Sequence, residues 1–109
     1  MSAFTFQYIL QTLPPSHDVD AIELVDANGT ALRRLENKPG SAGSLRVYHS
    51  LLRQYGRIDG DAARAGLKLY AEHTEDARLN PGKHPNVDTL LAIAEQGAPT
   101  LQGRVLPRA

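Results

Sequence analysis

The chain carries four histidines and no cysteine, so metal or acid–base chemistry must come from imidazoles, carboxylates and hydroxyls. His73 is followed at i+3 by Asp76. A carboxylate one helical turn from an imidazole can set its tautomer for proton transfer or metal binding. His84 and Asp88 complete a candidate metal set with His73 and Asp76 if the short turn at 80–86 folds the next helix back. Metal sites normally take three protein ligands. The competing reading is therefore a helix histidine that bonds locally.

A second candidate is an anion cradle at the 40–46 junction. Gly40-Ser41-Ala42-Gly43-Ser44 runs into Leu45-Arg46-Val47-Tyr48, and the pattern puts Ser44 at the N-cap of a helix. Backbone N–H groups of a first helical turn lack partners within the helix and sit at the positive end of its dipole. Gly43, Ser44 and Arg46, with Lys83 and His84 from the downstream loop, are the candidate anion-binding residues. The loop lacks the Gly-Lys-Ser/Thr ending of phosphate loops, so nucleotide binding is not supported. An ordinary Gly/Ser connector feeding a capped helix is the competing reading.

Weaker candidates surround these. His17-Asp18-Val19-Asp20 follows a double proline, and turn chemistry explains it. His49 reads as flanking surface beside Tyr48. Arg46, Arg53 and Arg57 form a cationic stripe, either a solvated face or a surface for phosphates or acidic partners. Lys83-His84-Pro85-Asn86 is rigid and polar together, as functional loops often are. No Gly-x-Ser-x-Gly or dinucleotide fingerprint occurs.

The elements that position these residues follow from periodicity. Phe6, Ile9, Leu10 and Leu13 predict a first helix, capped by Ser2 and stopped by Pro14-Pro15. Segments 21–26 and 30–36 predict a β-hairpin. A three-residue Ala27-Asn28-Gly29 loop pairs Leu24 with Leu32 and is preferred to a two-residue turn that pairs Leu24 with Arg33. A helix over 44–55 shows Leu45, Tyr48, Leu52 and Tyr55 on one side and ends at Gly56. A longer helix over 61–79, capped by Asp59 or Asp61, buries Ala63, Leu67, Tyr70 and Ala77. Its Gly66 allows close approach of another helix. Asn86 caps a fourth helix through Val87, Leu90, Leu91 and Ala94, and Gly97 stops it. The tail at 98–109 either adds a third strand or stays mobile. Tyr48, Leu52, Leu67, Tyr70, Leu90 and Leu91 are the expected core.

The expected fold is α+β within a single domain, 1–109: a β-hairpin, with a third strand if the tail joins, packed on three to four helices. The length of 109 residues, 41% hydrophobic and 22% charged residues suit a globular domain with its own core. Net charge is zero, which disfavours a nucleic-acid partner. The charge is uneven: residues 33–57 are basic and 17–26 acidic, and a hairpin would lay the two side by side. The chain lacks an apolar run of membrane length and a basic leader, so it is expected in the cytoplasm, away from membranes. Nothing in it asks for a cofactor.

Gly43-Ser44-Leu45-Arg46-Val47-Tyr48, with Ala71-Glu72-His73 and Pro81-Gly82-Lys83-His84-Pro85-Asn86, resembles a small family of uncharacterised bacterial proteins of about this length. The resemblance spans nearly the whole chain. It implies a bacterial, cytoplasmic origin and assigns no activity and no catalytic residue.

Three functions follow as expectations. The first is a non-enzymatic binding or regulatory module, working through a protein partner or a second copy, with an exposed apolar patch near the hairpin or first helix. The second is a small-anion or metal-binding protein, enzymatic or not, which requires His73 to lie near Arg46 or His84. The third is nucleic-acid binding by the Arg46/Arg53/Arg57 stripe.

Overall fold

The computed structural model describes residues 5–108. Its elements run α1 (Phe6–Thr12), β1 (Val19–Val25), β2 (Ala31–Glu36), α2 (Ala42–Tyr55), α3 (Gly60–Tyr70), α4 (Glu72–Leu79), α5 (Pro85–Glu95) and β3 (Gln102–Pro107). The fold is α+β, with one antiparallel sheet in the order β2-β1-β3. The tail does supply the third strand, and it pairs with β1, on the side away from β2.

The hairpin contains both registers that the sequence set in competition. Asp26 Oδ1 accepts from the N–H groups of Asn28 and Thr30, each at 2.9 Å. Gly29 sits at φ +82°, a conformation that L-residues rarely adopt. The loop is therefore the three-residue Ala27-Asn28-Gly29 form, with Val25 paired to Ala31. A bulge then shifts the pairing by one, and Leu24 faces Arg33. The preferred Leu24–Leu32 pair does not form, because Leu32 is the extra residue and points outward, 54% exposed. Arg33 shares the inner face with buried Leu35. There its Nε and Nη2 donate to Asn86 Oδ1 at 3.0 and 2.6 Å.

The uneven charge cancels only in part across the strands: among the described residues, Arg34 is the one cation of the basic segment that pairs with the acidic one, at Glu23 and Asp20. On the outer face Glu23 lies between Arg34, at 3.2 Å, and Arg104, at 3.6 Å. Ile22, Leu24 and Leu35 on the inner face join Leu45, Tyr48, Leu51 and Leu90 in the core. Of the expected core residues only Leu52 is partly exposed, and it packs on the backbone of β3 at Gly103. Gly66 is where α3 meets α2 and α5. A Cβ there would lie 2.6 Å from Leu90 Cδ1 and 2.8 Å from Leu51 Cδ1.

Helix ends account for the remaining differences. Thr5 caps α1 by accepting from the Tyr8 N–H, and the expected cap Ser2 lies outside the described residues. Asp59 caps α3 by accepting from the Ala62 N–H at 2.9 Å. The expected 61–79 helix is two helices, broken at Ala71 with φ +52°. The α5 helix starts at Pro85 with His84 as N-cap, not at Asn86. Asn86 lies within the first turn, its side chain used by Arg33 and its carbonyl accepting from Tyr48 OH at 2.6 Å.

Candidate functional site

A cleft of about 530 Å³ opens where α1, the starts of α2 and α4, the end of α3, the loop at 83–84 and the start of α5 meet. One wall comes from Phe6 and Leu10 of α1. The Phe6 N–H donates to Glu72 Oε1 at 2.8 Å, pinning the start of α1 to α4. Glu72's own backbone N–H foremost, then this bond, hold the Glu72 carboxyl below the usual carboxylate range. The Phe6 ring stacks on Tyr70, centroids 5.2 Å apart, and meets the His73 ring edge-on at 4.8 Å.

Gly43 and Ser44 form the second wall. Gly43 lets α1 pack close to this turn, since a Cβ there would sit 3.3 Å from Leu10 Cδ1. Ser44 is not the N-cap. Ser41 holds that position, and its hydroxyl donates to the Glu36 carbonyl at 2.6 Å instead of capping. Helix α2 thus begins earlier than its apolar stripe suggested, and Ser44 lies in its first turn. The N–H groups of Ala42 and Leu45 are taken by the carbonyls of Lys38 and Ser41. Among the described residues no acceptor meets those of Gly43 and Ser44. Tyr70 OH donates to Ser44 Oγ at 2.7 Å. Burial pushes the Tyr70 phenol far above its ordinary range, so it remains a donor.

The third wall is polar. His84 Nε2 bonds Asp76 Oδ2 at 2.7 Å, and Lys83 Nζ reaches the same oxygen at 3.0 Å. Asn80 donates to the other oxygen at 2.9 Å. The His84 bond foremost, then Lys83, pushes the Asp76 carboxyl down to about 2. The His73 and His84 rings stand 5.1 Å apart. His73 owes this position to the break at Ala71, because α4 leaves the axis of α3 there.

The structure therefore brings Ser44, His73, Lys83 and His84 to one cleft, with Gly43 in its wall. Arg46 does not join them. Its guanidinium donates to the carbonyls of Leu13 and Pro14, at 2.5 and 3.1 Å, and so closes the end of α1. Asp76 pairs with His84 rather than His73. Asp88 accepts from the Gly82 N–H at 2.9 Å and closes the 82–88 turn. Among the described residues no three His, Asp or Glu side chains form a group that could hold a metal.

Elsewhere, Arg57 pairs with Asp59 at 3.4 Å, so of the cationic stripe only Arg53 has no salt bridge or hydrogen bond among the described residues. His49 is more than flanking surface. Its Nδ1 bonds the buried Ser16 hydroxyl at 2.8 Å, and burial, then Arg53, disfavours its protonation. Phe6 and Tyr70 were missed as site residues. Their only sequence signal was apolar periodicity, which marks core and cleft wall alike.

One family model, described as an uncharacterized protein conserved in bacteria (DUF2322), matches residues 6–104. No curated protein and no solved structure matches the chain.

Proposed function

The chain belongs to the bacterial family DUF2322, and from that premise we propose that it binds a small anion in the cleft between α1, α2 and the 83–84 loop that leads into α5. One observation carries this reading. His73, Lys83 and His84, from a helix and a separate loop, face a wall whose first helical turn holds two N–H groups without an acceptor among the described residues, and a serine hydroxyl. Cationic and neutral donors gathered on opposite sides of a concave site suit an anionic ligand. The residues form no complete nucleophile–base set, so the reading is of a binding protein. A cytoplasmic setting goes with it, supported by a cysteine-free composition. Among the described residues no helix is long and apolar enough to cross a membrane.

Thermal melts with and without phosphate compounds test this. A ligand at about 100 times its Kd should stabilise the fold by about 2.7 kcal/mol, and His84→Ala should remove the shift. No shift with any phosphate compound, carboxylate or nucleotide would end the anion reading. A second reading, contact with a protein partner or another copy, is favoured by Leu32, which the bulge leaves 54% exposed. The same melts cover self-association, since a dimer melts higher as protein concentration rises.

A further inference from the structure

His73 and His84 reach the cleft from α4 and from the loop before α5, yet their rings stand 5.1 Å apart. Their surroundings are unequal. His84 has a carboxylate partner, Asp76, at 2.7 Å. His73 touches Phe6 and His84 through its ring, and among the described residues neither of its nitrogens has a hydrogen-bond partner.

The groups facing His73 can be taken element by element. Phe6 of α1 is uncharged, Ser44 of α2 is neutral, and Tyr70 of α3 keeps its proton. On α4, Glu72 is engaged by the Phe6 N–H and acts on His73 only through space. Asp76 is occupied by His84, Lys83 and Asn80. The loop adds Lys83 and His84, and Asn86 of α5 is neutral. A proton on His73 therefore faces one cation and a second imidazole, is met by Glu72 only through space, and has no hydrogen-bond acceptor among the described residues. An anion in the cleft supplies that acceptor, so its binding and protonation must favour each other. Donors on two opposed walls also suit a tetrahedral oxyanion, whose oxygens face both sides, better than a planar carboxylate.

We propose that the cleft takes a phosphate-type tetrahedral oxyanion together with a proton on the His73–His84 pair. This rests on the anion reading above and adds the ligand class and its coupling to pH.

Calorimetric titration of the whole protein tests it, with sulfate, inorganic phosphate, methyl phosphate and acetate as probes. Sulfate does not titrate near neutrality, so any proton taken up with it belongs to the protein. Titrations in two buffers of different ionisation heat should show net proton uptake near pH 7. Sulfate should bind about tenfold tighter at pH 6 than at pH 8, since imidazole is the side chain that changes charge across this range. Acetate should bind at least about tenfold more weakly, having fewer oxygens for the donors. His73→Gln should keep sulfate binding but lose most of the uptake. Methyl phosphate binding more tightly than phosphate would support an ester as the ligand, and the reverse would support the free ion. Sulfate binding without proton uptake, or uptake unchanged in His73→Gln, overturns the coupling and leaves the anion reading standing. Acetate binding as tightly as sulfate overturns the tetrahedral class. No binding of any probe removes both.

Discussion

Asp76 accepts from His84, Lys83 and Asn80 at once, and this one carboxylate fixes the direction of two cleft residues. Its folded-state value lies below the unfolded one. The stability it contributes is therefore fully present above about pH 4 and is lost as pH falls through about 2. Asp76→Asn should melt lower than the parent at pH 7, and the gap should narrow between pH 4 and pH 2. Melting curves across that range check it, and a gap of constant size would show that Asp76 is not ionised into its network. The sequence set His73 and Asp76 with His84 and Asp88, and Lys83 and His84 with Gly43, Ser44 and Arg46; the short Pro-bounded turn brings α4 and α5 close together, so His73, Asp76, Lys83 and His84 meet, while Asp88 turns to the Gly82 N–H. It misjudged Arg46. The carbonyls of Leu13 and Pro14 need donors once α1 stops, and only the folded chain shows that Arg46 is in reach of them.

Among the elements, the break at Ala71 does most to shape the cleft. Apolar spacing continues across it, so residues 61–79 read as one helix. Nothing local announces the stop, since alanine is a strong helix former. Tertiary contacts impose it: the Thr74 hydroxyl bonds the Leu67 carbonyl at 2.6 Å, and Glu72 bonds the start of α1. An alanine at φ +52°, ψ −120° carries roughly 2 kcal/mol of backbone strain. Glycine would relieve it at a cost of about 1 kcal/mol in unfolded-state entropy. Ala71→Gly should therefore stabilise the protein by about 1 kcal/mol, a rise of several degrees in Tm for a domain of this size. An unchanged or lower Tm would count against strain at this position. The hairpin register followed the same logic. Favourable cross-strand pairs argued for Leu24 opposite Leu32, whereas in the fold Arg33 turns inward to Asn86, far along the chain, and Leu32 is left to the bulge.

Across the whole molecule, the central strand β1 pairs with one neighbour close in sequence and one remote, as the Ile22–Leu35 and Ile22–Val105 pairings show. A two-stranded ribbon is at best marginal in water, and without β3 the Leu52 side chain loses the surface on which it rests. A chain ending at residue 101 should lose its cooperative melt, and a sharp transition surviving the truncation would show that the helices and hairpin suffice. The same topology has a consequence during translation. β1 leaves the ribosome before β3, and its second edge stays open until residues 102–107 have been made. In that interval the nascent chain displays unpaired backbone donors and acceptors beside an apolar face, the surface on which chains cross-pair. Closing the sheet therefore waits for residues 102–107, however early the helices form.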